Sequence, residues 1–232
     1  MALKAVLFDF NGIIINDESI HFELINEVLL TENLLPLEKE FRNLCLGRSD
    51  RACLIDVLSL RGRVVSEAYI NKLIALKAGL YQERIERLEP LPIYSDFTEF
   101  LLKIADRGLS IGLVSGALRE QIEFVLEKIN LKQYFETIVA GDDINTSKPA
   151  PDGYLLAIDK LCQQKPELEL VAANCLAIED TFAGIQSAKN AGVRVVGVAN
   201  TYPLHMLQRQ ANWAVDSLTE LELDRIKELF IS

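Results

Sequence analysis

Several things are scarce in this sequence, and each scarcity excludes a role. No apolar run in the 232 residues approaches the roughly 20 needed for a helix to span a bilayer, so a helical membrane span is excluded. Positive charge is outnumbered: 24 Lys and Arg face 34 Asp and Glu, a formal net charge of −10. Such a field repels phosphate-rich polymers and anionic lipid, so neither nucleic acid nor a membrane surface is an expected partner. Any pull on an anionic substrate must come from a few local groups. The four cysteines, Cys45, Cys53, Cys162 and Cys175, show neither CxxC nor zinc-ligand spacing, and are expected to be reduced, mostly buried thiols. There is no internal repeat, low-complexity tract or Gly/Ser linker. Residues 1–5 run straight into a strand-like segment without a signal-peptide layout. The expectation is a cytoplasmic protein, a monomer or small homo-oligomer.

What is present is a rhythm. Half of the residues are hydrophobic, enough for a sizeable core. Short runs rich in Val, Ile and Leu occur at Leu3 to Phe8, Ser110 to Val114, Thr137 to Ala140, Cys175 to Ile178 and Val193 to Val198. None alternates cleanly, as expected of parallel strands covered on both faces. Between them lie amphipathic stretches, such as Phe97, Phe100, Leu101, Ile104 and Ala105 at helical spacing. Strands alternating with helices predict a doubly wound, Rossmann-like α/β sheet. Residues 16–91 break the rhythm. Ile20, Leu24 and Val28 form one apolar stripe, Ile70, Leu73, Ile74 and Tyr81 another, and no strand is convincing. We expect a core of residues 1–15 and 92–232, with a helical cap at 16–91. Ligands in such sheets bind beyond the carboxyl ends of the strands, so an insert leaving from that edge would cover the site.

Polar clusters end the apolar runs at that edge. Asp9-Phe10-Asn11-Gly12 follows the first, Ser115-Gly116 the second and Glu179-Asp180 a later one, while Lys148-Pro149-Ala150-Pro151-Asp152 opens a helix. A carboxylate, a hydroxyl, a cation and an acidic pair are the parts that aspartate-based phosphoryl transfer requires. One carboxylate attacks phosphorus, Mg²⁺ bridges carboxylates and phosphoryl oxygens, and lysine and backbone N–H donors neutralise the rest. Taken singly, each cluster has an ordinary structural use. Asn-Gly is a common turn pair, Asp180 could belong to a helix start, and Asp152 is read as a cap for a helix starting near Gly153.

Taken together, the motifs resemble the haloacid dehalogenase superfamily, in the helical-cap branch that includes β-phosphoglucomutase and small sugar-phosphate phosphatases. VLFDFNGIIINDE resembles the first motif, LVSGA the second, SKPAPDGY the third and AIEDTFAGIQSAKNAG the fourth. The resemblance implies that Asp9 is the nucleophile and that Lys148 assists it. Asp9, Phe10, Asn11, Ser115, Gly116 and Lys148 would cradle the phosphoryl group. Asp9, the Asn11 backbone carbonyl, Glu179 and Asp180 would hold Mg²⁺. The substrate would be a small phosphorylated metabolite, such as a sugar phosphate.

One departure stands out. The family pattern is Asp-x-Asp-Gly-Thr, whose second Asp is the general acid and base. Here that position is Asn11, and the Thr is Ile13. An amide neither protonates a leaving alkoxide nor takes a proton from water, and losing such a group costs ~10²–10⁴-fold in rate. A divergent enzyme, a phospho-ligand binder without turnover, a deliberate substitution and a leaving group that needs no proton all fit this sequence. His21, on the first cap helix, is either a packing residue or a substitute proton carrier.

In the cap, Leu46-Gly47-Arg48-Ser49-Asp50-Arg51 resembles the loop that meets the substrate's distal part, which makes Arg48 and Arg51 the substrate-binding candidates. They are equally readable as solvated arginines beside a helix starting at Ser49 or Asp50. The mutase pattern places Lys before the Gly and Arg three residues after it; Leu46 and Asp50 occupy those positions and speak against mutase chemistry. The Glu179-Asp180 pair speaks against the metal-free dehalogenase branch. A Schiff-base lysine, as in the phosphonatase branch, would fall at Leu46, with Lys72 and Lys77 as alternatives.

Overall fold

The computed structural model describes residues 2–230. Its centre is a six-stranded parallel sheet in the order β3-β2-β1-β4-β5-β6. The strands are β1 (Ala5–Phe8), β2 (Ser110–Val114), β3 (Thr137–Val139), β4 (Cys175–Glu179), β5 (Arg194–Val198) and β6 (Trp213–Val215). The helices are α1 (Glu18–Thr31), α2 (Glu40–Leu44), α3 (Asp50–Leu60), α4 (Glu67–Glu86), α5 (Phe97–Asp106), α6 (Arg119–Lys128), α7 (Asp152–Gln164), α8 (Phe182–Asn190), α9 (Leu204–Leu207) and α10 (Leu223–Leu229).

Alternating side chains of each central strand feed two separate cores. Val6 and Phe8 of β1 join one layer with Phe97, Leu101 and Ile104 of α5 and Val125 of α6. Ala5 and Leu7 join the other, with Tyr154 and Leu161 of α7 and Ile185 of α8. This two-sided burial explains why the strand sequences show no polar alternation. Phe8 anchors the first layer edge-on against Phe97, Phe100 and Phe135, at centroid distances of 5.5, 6.1 and 6.4 Å.

From β1 the sheet grows one way through β2 and β3 and the other way through β4, β5 and β6. The reversal lies between β1 and β4, which pair from Ala5↔Cys175 to Phe8↔Ile178. That switch point opens a crevice at the carboxyl ends of both strands.

Four helices, α1 to α4, follow β1 before the chain re-enters the core, as the insert reading expects. The two crossing segments brace each other. Ile15 bridges Ile93, Asn16 N–H donates to Pro92 O at 2.8 Å, and Tyr94 N–H donates to Ile14 O at 3.0 Å. No helix among the described residues is long and apolar enough to cross a membrane.

Three expectations need correction. β6 was not foreseen: it is a three-residue edge strand, partly buried, and too short to carry a period. Asp152 does not cap a helix; it is the first helical residue of α7, Pro151 holds the N-cap position, and no side chain caps that end. The cysteines are not all thiols, because Cys45 and Cys53 form a disulfide. The end of α2 and the first turn of α3 fold back on each other around Gly47, which joins two cysteines whose spacing matched no motif. Cys162 and Cys175 are free, and burial pushes the Cys175 thiol up to about 12.

Candidate active site

The ends of β1 and β4 carry the acidic groups. Asp9 follows β1 directly, and Glu179-Asp180 ends β4 because Thr181 stops the strand and caps α8, its hydroxyl accepting from Gly184 N–H at 3.1 Å. Carboxylate oxygens of Asp9, Glu179 and Asp180 lie within 4.8 Å of one another, all buried. Lys148 Nζ bonds Asp9 Oδ1 at 2.9 Å and Glu179 Oε1 at 2.7 Å. Tyr154 O–H also donates to Glu179 Oε1, at 2.6 Å. Asp180 Oδ2 accepts from the Thr201 hydroxyl. Glu179 Oε2 and Asp180 Oδ1 are buried and have no hydrogen-bond partner.

Three buried carboxylates thus share one lysine. Burial, followed by the charge of Asp9, pushes both Glu179 and Asp180 far above the ordinary carboxylate range, and their neighbour charges offset only part of this. Lys148 stays firmly cationic: burial opposes its charge, but Asp9 and Glu179 outweigh burial. A divalent cation with oxygen preference would supply what the two orphaned oxygens lack, so the donor set fits Mg²⁺. Gly12 completes the cradle. Its φ of +77° is left-handed, and a Cβ there would meet Asp180 Oδ2 at 1.9 Å.

The remaining sequence-predicted phosphoryl ligands lie close by. Phe10 N–H points at Asp9 Oδ1, 2.7 Å away. Ser115 ends β2, the other neighbour of β1, and its buried hydroxyl accepts from Ala117 N–H at 3.0 Å. Gly116 lines a chamber of about 40 Å³ together with Asp9, Asn11, Glu18, His21 and Arg48.

Asn11 is turned away from the metal cradle. Its amide donates to Asp17 Oδ1 at 2.9 Å and Oδ2 at 3.1 Å. Tyr81 O–H donates to Asp17 Oδ2 at 2.7 Å. Lys77 Nζ, completely buried, bonds Asp50 Oδ1 at 2.6 Å and His21 Nδ1 at 2.7 Å. A lysine ammonium only donates, so His21 Nδ1 accepts from it, while Nε2 lies 3.3 Å from Asp17 Oδ2 and 3.2 Å from Asn11 Nδ2. The ring stacks on Tyr81 at 5.0 Å. Burial alone would raise the Asp17 carboxyl; His21 and the hydrogen bonds from His21, Asn11 and Tyr81 outweigh it and hold Asp17 below its ordinary value. An aspartate at position 11 would face this fully buried anion with like charge, whereas the Asn11 amide donates to it.

Sequence reasoning missed Asp17, Glu18 and Tyr81, and gave Lys77 a different role. Glu18 opens α1, lines the chamber and is partly buried. Burial first, then the charges of Asp17 and Asp9, push its carboxyl up to about 8, with Lys77 opposing. The α1 N-terminus favours the anion, but by only about 0.3–1 kcal/mol, less than one pKa step of about 1.4 kcal/mol. Lys72 is exposed and lines neither cavity near the site, and Lys77 is locked between Asp50 and His21, so neither presents a free amine to the chamber.

The cap loop presses on the core. Gly47 has φ +70°, and a Cβ on it would meet Thr181 Oγ1 at 2.2 Å; Ser49 N–H donates to Ser147 Oγ at 2.8 Å. Ser49 caps α3, as one of the sequence readings held. Both arginines pair inside the cap: Arg48 with Asp56 at 2.7 Å, and Arg51 with Glu67 and Asn71. Arg48 still borders the inner chamber, whereas Arg51 borders an outer cleft of about 960 Å³ that shares Asp50 and Gly116 with it.

Known proteins resemble this chain over nearly its whole length. A family model described as "Haloacid dehalogenase-like hydrolase" matches residues 6–198. Protein CbbY of Rhodobacter capsulatus is 28% identical, over 99% of this chain and 100% of that one. Beta-phosphoglucomutase of Bacillus subtilis (strain 168) is 27% identical, over 97% of this chain and 95% of its own. Among solved structures, a beta-phosphoglucomutase from Clostridium difficile superposes with a TM-score of 0.84 at 22% identity, covering 99% of this chain and 97% of that one.

Proposed function

This chain belongs to the haloacid dehalogenase-like hydrolases, and from that footing we propose that it is a Mg²⁺-dependent phosphatase of a small phosphorylated metabolite, of the sugar-phosphate class, working through an aspartyl-phosphate on Asp9. The observation that carries this reading is the convergence of Asp9, Glu179 and Asp180 around Lys148 at the sheet's switch point. The name of the B. subtilis relative, a sugar-phosphate mutase, supports the substrate class.

In this reading Asp9 attacks phosphorus. Lys148 keeps the carboxylate ionised and neutralises an equatorial oxygen, with Ser115 and the backbone N–H groups of Phe10 and Gly116 as further donors. Asp9, Asp180, Glu179 and the Asn11 carbonyl would hold Mg²⁺, which supplies charge neutralisation on the phosphoryl oxygens. Residues 16–91 act as the cap on a core of 1–15 and 92–232, hinged at residues 14–17 and 89–93. The chamber of about 40 Å³ is little larger than one water's share of liquid volume, so a sugar phosphate enters only when the cap opens. Leu46 and Asp50, which depart from the mutase pattern, favour hydrolysis over phosphoryl return.

The test is a panel of phosphate esters assayed with Mg²⁺, with acid-quench trapping of the phosphoenzyme. Asp9→Asn should remove the trapped acyl-phosphate and lower turnover by roughly 10⁴-fold or more, the scale of losing a nucleophile. Turnover that survives Asp9→Asn would overturn the assignment.

A further inference from the structure

The proposed chemistry leaves a vacancy. Breaking an alkyl phosphate needs a proton for the departing oxygen, and releasing phosphate from Asp9 needs a base for water. Asn11 provides neither. His21 is no substitute, because one ring nitrogen meets Lys77 and the other meets Asp17. Asp17 receives three hydrogen-bonding neighbours and lies completely buried. Asp50 is paired with Lys77, and Cys45 and Cys53 are joined to each other. Arg48 is paired with Asp56. The nucleophile Asp9 is paired with Lys148, and of the titratable groups lining the inner chamber Glu18 alone has neither an ion-pair nor a side-chain hydrogen-bond partner among the described residues.

We propose that Glu18 is the general acid and base of this protein, replacing the carboxylate that position 11 lacks; the proposal rests on the phosphatase reading above. In the first step the Asp9 oxygen bonds phosphorus. The ester P–O bond breaks, its electron pair goes to the leaving oxygen, and the Glu18 carboxyl gives that oxygen its proton. In the second step the Glu18 carboxylate takes a proton from water as the water oxygen bonds phosphorus. The P–O bond to Asp9 breaks, and inorganic phosphate leaves with Asp9 and Glu18 restored.

The surroundings suit that role. Asp17 from the hinge, Asp9 after β1 and Asp180 after β4 press negative charge on Glu18; Lys77 from α4 opposes them, Tyr94 and Tyr202 lie within electrostatic reach, and His21, Arg48 and Asp50 line the same chamber. Its carboxyl, pushed up to about 8, holds a proton at neutral pH and gives it up readily, which is where Brønsted behaviour places an effective acid and base.

The experiment compares wild type, Glu18→Gln and Glu18→Asp on an alkyl phosphate and on 4-nitrophenyl phosphate, with Mg²⁺, phosphoenzyme trapping and a pH series. Glu18→Gln should lose roughly 10²-fold in kcat on the alkyl ester. It should lose much less in the phosphorylation step with the aryl ester, whose leaving group needs no proton, so trapped acyl-phosphate should accumulate. The fall in alkyl-ester activity that wild type shows at high pH should vanish, and Glu18→Asp should recover part of the rate. Equal losses in the phosphorylation step with both esters, or an alkyl-ester kcat within about threefold of wild type, would overturn the proposal. So would wild type that traps phosphate on Asp9 and never releases it, an outcome that leaves the nucleophile assignment intact. Wild type that neither traps nor turns over phosphate sinks the phosphatase reading itself. Unchanged Mg²⁺ binding and melting temperature in Glu18→Gln separate lost chemistry from lost structure.

Discussion

Two buried polar clusters sit a few residues apart in sequence and obey opposite rules. At the carboxyl edge of the sheet, Asp9, Glu179 and Asp180 share one lysine and leave Glu179 Oε2 and Asp180 Oδ1 without partners. At the hinge, Asn11, Asp17, His21, Tyr81, Lys77 and Asp50 form a chain in which none of these side chains has an orphaned buried atom. An unsatisfied buried charge is costly, and a protein keeps one where a ligand will complete it. A satisfied chain gives geometry instead. The first cluster offers the donors for the cation proposed above, and the second fixes how the cap meets the core.

The contrast breaks most sharply at Asp180. Asp180→Ala should abolish Mg²⁺ binding in calorimetry, yet leave the chelator-treated protein as stable as wild type or more so, because it removes a buried charge with too few partners. The pH dependence follows from the same crowding. Glu179, Asp180 and Glu18 all have carboxyls raised above their ordinary values. The chelator-treated folded state therefore binds protons that the unfolded chain has released. The stabilisation is present below the ordinary carboxylate range and is lost as pH rises through the raised values, past about 8 for Glu18. Melting temperature in chelator should fall over that window, and Mg²⁺ at 100 times its Kd should return roughly 2.7 kcal/mol at neutral pH.

The hinge cluster should answer differently. Asp17→Ala strands Tyr81, His21 and the Asn11 amide, and should cost roughly 3–5 kcal/mol in chemical denaturation while changing Mg²⁺ affinity little. Asn11→Asp alone sets two carboxylates against each other, so it should lower stability rather than restore fast turnover. The exchange Asn11→Asp with Asp17→Asn keeps an amide facing a carboxylate. It should recover most of that stability and move an acid/base group to position 11, raising the activity of Glu18→Gln by about tenfold or more. An exchange variant no more stable than Asn11→Asp would show that the two residues are not a matched pair. The smallest effect belongs to Arg51, whose ion pair with Glu67 is exposed; Arg51→Ala should change stability by about 1 kcal/mol or less and leave Mg²⁺ binding intact.

The first cluster was legible in the sequence and the second was not, for a physical reason. Asp9, Lys148 and Glu179-Asp180 each sit where an apolar run ends or a helix opens, so topology alone sends them to one edge. The hinge chain depends on pairs far apart in sequence, such as Tyr81 with Asp17 and Lys77 with Asp50, between helices whose rotation no periodicity fixes. Glu18 reads as an ordinary first-turn acid until its surroundings are seen. β6 escaped because three residues carry no pattern, and the Cys45–Cys53 bond escaped because only the turn around Gly47 brings its ends together.

That bond has a consequence for time as well as shape. It ties the last turn of α2 to the first turn of α3, so the segment over the chamber cannot peel back residue by residue while the bond holds. Under the proposed cap opening, admission and release would then share a single motion, a swing of the whole cap about the paired crossings at Ile15 and Ile93. A gate of that kind opens as one event. Its frequency should slow with solvent viscosity, and reduction of the bond should add a faster, local route past the loop.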